Sequence, residues 1–273
     1  MIVTPIKGNF IYPEVKETDY RFGAIQTPIV REDGDWRDYL PPTELQRRNG
    51  IESSSCFIEA QQHAIATIQE ETFDIPDLNY SARFNLIYSD ASPFGGDPLK
   101  GAQSFRHNGL IPDSMLPFSD EVKSWSDFCS FLGGNERTCI ASGQQFLKRW
   151  KLNWLIVFER FESKETKDNK LREALKRGPV PMSVPAWYLK DGKYFRPDGE
   201  RDNHMVTCVY MDKEGYKYVF DTYDPFIKIL DKDINPEFAM RWTVNKLSTQ
   251  TVSPGVFAKL IMLLKSLGIK FNV

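Results

Sequence analysis

A chain of 273 residues with 41% hydrophobic and 13% aromatic content can bury the core of one large domain or of two lobes that share an interface. Its net charge of −2 argues against a nucleic-acid binder, which draws on a basic surface. Four cysteines (Cys56, Cys129, Cys139, Cys208) with no CxxC pair argue against a zinc knuckle and are too sparse for a disulfide scaffold.

The start, MIVTPIKGNFIY, lacks the basic segment and apolar run of a secretory signal, and no apolar run is long enough to cross a bilayer. The expectation is a cytoplasmic protein with free thiols and no cofactor or metal. Residues 1–34 mix short apolar pieces with Pro, Gly and charge, and read as an extended N-terminal arm. A helix is expected over 53–69, capped by Ser53, Ser54 or Ser55, with Phe57, Ala60, Ala64, Ile65 and Ile68 on one face. A second covers about 80–88, and a third runs from Pro98 to His107, closed by Asn108-Gly109. Residues 121–150 read as helical with a break at Gly133-Gly134.

The texture changes after Trp150. LNWLIVFERF (152–161) is strand-like, KDNKLREALKRG (167–178) is a short helix, and PVPMSVPAW, HMVTCVYM and YKYVFDTY read as strands. Helices first and strands second make an α+β chain of two lobes, helical over 35–150 and antiparallel β over 151–250. In 251–273, Pro254-Gly255 opens a helix with Val256, Phe257, Leu260, Leu263, Leu264 and Leu267 on one face. Docking on its own core is the ordinary role. Lys259, Lys265 and Lys270 make a partner or a membrane surface the alternative.

Cys56 falls at a helix start, where the helix dipole favours thiolate; the plainer role is a small buried apolar residue. A nucleophile needs a base, and the chain has three histidines. His63 lies on the same helix as Cys56, roughly 10 Å along it, beyond hydrogen-bonding reach. His107 ends a helix beside Asn-Gly. His204 opens a strand, and the hairpin HMVTCVYMDKEGYKYVFD brings Asp221 back beside it, where a carboxylate would orient the imidazole. Asp224 reads as a turn residue. Gly95-Gly96 in SDASPFGGDP is a tight turn.

Together these pieces resemble the papain family of cysteine peptidases. DWRDYLPPTELQ is similar to the family's mature start, SSSCFIEA to Gly-Ser-Cys-Trp-Ala-Phe-Ser-Ala, and LNYSARFNLIYSD to the helix that follows. PFGGDP is similar to Cys-Asn-Gly-Gly-Tyr-Pro, and RGPVPMSV to Pro-Val-Ser-Val. NHMVTCVY is similar to Asn/Asp-His-Ala-Val, and FDTYDP to Asn-Ser-Trp-Gly. The resemblance implies a two-lobe papain-like fold and peptidase activity on a peptide or protein substrate. It gives Cys56 as nucleophile, His204 as base, Asp221 as its orienter in place of Asn, and Gln46 as oxyanion donor. Gly95 and Gly96 would pair with the substrate backbone, and Met182, Ser183, Val184 and Asn203 would border a side-chain pocket.

Departures accompany it. Gln46 stands ten residues before Cys56, farther than in the family, so the loop RRNGIESS must be accommodated or Asn49 must substitute as donor. Phe57 replaces Trp and Tyr223 replaces Trp. Ser53 and Pro93 occupy the positions of a disulfide the family often carries. An inactive papain-like module with a binding or structural role, such as a virion component, is the alternative. The arm followed by NGIESSSC resembles divergent papain-like proteins encoded by bacteriophages.

Overall fold

The computed structural model describes residues 10–16, 21 and 27–247. The segment 251–273, expected to form an amphipathic helix, lies outside the described residues. The helical part comes first: α1 (Cys56–Phe73), α2 (Ala82–Ile87), α3 (Pro98–Asn108), α4 (Trp125–Phe128) and α5 (Glu136–Arg149). A short hairpin, β1 (Arg47–Arg48) and β2 (Ile51–Glu52), precedes them. Strands then dominate: β3 (Trp150–Phe158), β4 (Val180–Val184), β5 (Tyr188–Lys190), β6 (Lys193–Phe195), β7 (His204–Met211), β8 (Lys217–Phe220), β9 (Ile227–Leu230) and β10 (Ala239–Lys246). One helix, α6 (Lys164–Leu175), interrupts them.

Those eight strands form one sheet in the order β3-β10-β4-β7-β8-β9-β6-β5. Its pairings are antiparallel except β6 against β9. The expected α+β order, helices first and a mostly antiparallel sheet second, is therefore the one observed. Side chains on α1 (Phe57, Ile65, Ile68) meet Phe105 of α3 and Met240 and Trp242 of β10 in one core. Val180, Met182, Val184, Val206, Cys208 and Val219 form a second with Leu171 and Leu175 of α6. Trp36 closes the second core: its indole donates to the Leu175 carbonyl at 2.7 Å, and its backbone N–H to Val209 at 3.0 Å.

The helix ends follow local chemistry. Ser81, Asp97, Asn135 and Ser163 each accept from a first-turn N–H of their helix. Gly109, with φ +78, ends α3 because a Cβ there would lie 2.1 Å from the Gly143 carbonyl oxygen of α5.

The longest helix differs from its expectation. Five apolar residues at helical spacing suggest one buried face, but α1 is buried all round from Cys56 to Gln69. The amide nitrogens of its glutamines find carbonyls inside: Gln61 donates to those of Phe57 (2.6 Å) and Pro98 (3.0 Å), Gln62 to that of Ser81 (3.1 Å). Interior amides with partners avoid the cost of an unmet polar group, so a helix with Gln at three positions can still be central.

Candidate active site

Two elements bring the site together. α1 lies across the sheet, and the Thr207 hydroxyl of β7 donates to the Ala60 carbonyl of α1 at 2.7 Å. This bond is one turn from Cys56 and three residues from His204, so it fixes the helix start against the strand start. The thiol of Cys56 reaches the His204 imidazole by hydrogen bond. On the other side, His204 Nε2 lies 2.7 Å from Asp221 Oδ1. The antiparallel pairing of β7 with β8, Thr207 opposite Phe220, carries Asp221 there. Cys56, His204 and Asp221 are all essentially inaccessible, at 0%, 2% and 1% exposure.

Burial alone would push the His204 imidazole down. The Asp221 carboxylate and Cys56 more than reverse it, raising its pKa to about 10 and favouring imidazolium. Burial would likewise raise Asp221, but His204 and then Lys228 hold its carboxyl below the usual range. The Lys228 ammonium sits 2.7 Å from Asp221 Oδ2. His63, by contrast, is pressed against Phe220 with ring centroids 4.6 Å apart, and burial lowers it to about 4. His107 lies in the last turn of α3.

The long loop between Gln46 and Cys56 is accommodated by the β1–β2 hairpin. Asn49 and Gly50 both take positive φ, +55° and +76°, which is what a two-residue turn of this kind requires. The Ser53 N–H returns to the Gln46 carbonyl at 3.2 Å. Gln46 is fully buried and held at both ends of its amide. Oε1 accepts from Thr222 Oγ1 at 3.0 Å, and Nε2 donates to Glu52 Oε1 at 2.6 Å. Glu52 Oε2 accepts from the Tyr223 hydroxyl at 2.6 Å. Tyr223 in turn covers His204, with ring centroids 5.4 Å apart. The substitute donor Asn49 is at the exposed hairpin tip, where its amide reaches the Ser119 carbonyl at 3.4 Å.

The Gly-Gly turn forms the opposite rim. Gly95 has φ +111, and a Cβ on Gly96 would lie 2.2 Å from the Phe57 ring, so Phe57 and Gly96 pack as a pair. The Ser54 hydroxyl donates to the Pro93 carbonyl at 2.7 Å, tying together the two loops that the family's disulfide would join. The cysteines are free thiols.

The slot between Gly96 and Asn203 is occupied by the arm. Phe10 N–H donates to the Asn203 carbonyl at 3.1 Å, and Ile11 N–H to the Gly96 carbonyl at 3.3 Å. The Phe10–Gly96 bridge is parallel. The Phe10 and Tyr12 rings pack on Phe238, at 6.4 and 6.3 Å between centroids.

Cys56, His204, Asp221 and Gln46 thus come together, and Gly95, Gly96 and Asn203 border the same slot. Met182, Ser183 and Val184 need correction as pocket-lining residues. Met182 and Val184 belong to the β-lobe core, because alternate residues of β4 face α6 rather than the cleft. The Ser183 hydroxyl is spent on Asp202 Oδ2 at 2.5 Å and also accepts from the Phe238 N–H at 2.9 Å. Phe238 is the side chain that meets the arm. Phe238, Glu52 and Lys228 were missed by sequence reasoning. Lys228 did leave a signal: in Phe-Ile-Lys-Ile-Leu the strand period puts a charge on the face of Leu230.

No protein-family model matches the sequence, and no curated protein matches it. Solved structures do. Xylellain, a cysteine protease from Xylella fastidiosa, superposes with a TM-score of 0.60 at 14% identity, over 90% of this chain and 99% of that one. Procathepsin L 3 of Tenebrio molitor larval midgut gives 0.56 at 14% identity, over 85% and 75%. The bromelain protease from Ananas comosus, in complex with the E64 inhibitor, gives 0.53 at 17%, over 77% and 97%. At these identities the likeness establishes the papain-like fold.

Proposed function

We propose that this papain-like chain is a cysteine peptidase whose nucleophile is Cys56. The observation that carries the reading is the buried row of Cys56, His204 and Asp221, with the imidazole bonded on both sides. Cys56 sulfur, as thiolate, attacks the scissile carbonyl carbon. The oxyanion that forms is received by Gln46 Nε2 and the Cys56 N–H. The C–N bond then breaks, and imidazolium His204 gives its proton to the leaving amine. Neutral His204 next takes a proton from water, which attacks the thioester and releases the acid and Cys56. Asp221 holds the ring in orientation throughout.

Residues 10–12 restrain this activity in the full chain. They occupy the carbonyls of Gly96 and Asn203, which a substrate backbone would use. The second reading, an inactive binding module, is favoured by one observation: the Gln46 amide already donates to Glu52.

The test is hydrolysis of a peptide library by the full chain, by a variant lacking residues 1–16, and by each with Cys56→Ala. The peptidase reading expects the shortened variant to be at least ~10-fold faster than the full chain and both Cys56→Ala forms to be inert. No hydrolysis by the shortened variant, with its fold intact, would favour the module.

A further inference from the structure

Lys228 projects from β9 into the protein and is 2% exposed. An ammonium in such a place demands a partner for every donor. It donates to the Pro225 carbonyl at 2.6 Å and to the Tyr223 carbonyl, and Asp221 Oδ2 faces it as an ion-pair partner at 2.7 Å. The rings of Trp187 and Tyr194 lie 5.0 and 5.7 Å from it, and Trp187 also packs edge-on against His204. Lys228 thus touches the back of the same carboxylate that touches His204 from the front.

Charge counting gives this contact a meaning. A buried thiolate–imidazolium pair is neutral overall, and an amide orienter, such as the Asn of the family that this chain resembles, keeps it so. A carboxylate at position 221 adds one negative charge in a site without water contact. Lys228 cancels it, leaving the row Cys56(−), His204(+), Asp221(−), Lys228(+) with alternating signs. The other titratable groups facing the row are few. Glu59 and His63 face it from α1, Tyr194 from β6, and Tyr223 and Asp224 from the 221–226 loop, with Glu52 behind Tyr223. Burial favours the neutral forms of Glu59, His63, Tyr194 and Tyr223.

We propose that Lys228 is a positioning residue of the candidate site: it locks Asp221 against His204 and neutralises the charge that a carboxylate orienter brings into the buried row. The inference rests on the peptidase reading for its purpose, and its test needs no substrate.

The experiment follows the His204 imidazole by NMR titration in the full chain, which has only three histidines to assign. Wild type is compared with Lys228→Met, Asp221→Asn and the double variant, each with a thermal melt. Loss of the ammonium raises the His204 midpoint by about one pH unit. Asp221→Asn lowers it, and the double variant falls between Asp221→Asn and wild type. The double variant also melts above Lys228→Met, because it buries no unpaired charge. A Lys228→Met midpoint equal to wild type overturns the proposal. If that variant does not fold, a double variant that titrates as Asp221→Asn does overturns it. Ordered midpoints in a chain that cleaves no peptide would reject the peptidase reading and keep the role of Lys228; unordered midpoints in an active peptidase would reject Lys228 alone.

Discussion

The two walls of the cleft are made differently. On the β side, His204 opens β7 and Asp221 directly follows β8, and the β7–β8 register sets their 2.7 Å contact. On the helical side, Gln46 and Cys56 are joined by a hairpin, and Gln46 is placed by side chains: Thr222 at one end of its amide, Glu52 at the other. A sheet register is shared by many backbone bonds and resists one substitution. A side-chain clamp is not redundant, so the helical wall should respond to changes well outside the reacting atoms.

The largest expected effect lies on the β wall. On the peptidase reading, replacing His204 by Ala removes both the proposed proton carrier and the partner of the proposed nucleophile, and should lower kcat/KM of the arm-deleted protein by about 10³-fold or more. The same variant sharpens the electrostatic account. His204 is raised from 6.5 to about 10, so its stabilisation is fully present below 6.5 and is lost as pH rises through about 10. Melting temperature should therefore fall across that window in wild type, and this slope should flatten in His204→Ala.

Gln46→Ala, on the helical wall, should cost about 10²-fold in kcat with KM little changed if Gln46 is the proposed oxyanion donor, since such a donor acts in the transition state. Glu52→Ala tests the clamp itself. It leaves the Gln46 amide tethered only through Thr222 and frees the Tyr223 hydroxyl, and should lower kcat by roughly 10-fold while leaving the His204 titration in place. An equal response of both walls to these neighbours' removal would break the comparison.

The smallest effect concerns stability behind the helical wall. Glu44 is raised from 4.5 to about 7, by burial first and by Asp113 second, against the Asn79 amide that donates to it at 2.7 Å. Its folded-state preference for the proton stabilises below pH 4.5 and is lost as pH rises through about 7. Glu44→Gln should therefore raise the melting temperature at pH 8 by about 3 °C and leave it nearly unchanged at pH 4.

The same contrast explains what could be read from the sequence. Strand periodicity and a short turn made the 204–221 hairpin legible, and with it the His204–Asp221 contact. The place of Cys56 at a helix start left its role open until the resemblance supplied it, and the Gly95-Gly96 turn was legible from glycine chemistry. The role of RRNGIESS was not, because hairpin formation by Asn49-Gly50 determines where Glu52 lands, and no local pattern encodes its meeting with Gln46 and Tyr223. Met182 and Val184 were misjudged because similarity of a segment does not say which strand face looks at the cleft. Lys228 required knowing that β9 joins the sheet beside β8.

The central claim is that Cys56 is a nucleophile served by His204. It is tested most directly by mass spectrometry of the arm-deleted protein and its His204→Ala variant, each treated with a peptidyl electrophile that forms a stable thioether. The account predicts one adduct, located at Cys56, formed at least ~100-fold faster in the parent than in the variant. Equal rates in the two proteins, or labelling spread over Cys129 and Cys139 instead, would contradict it.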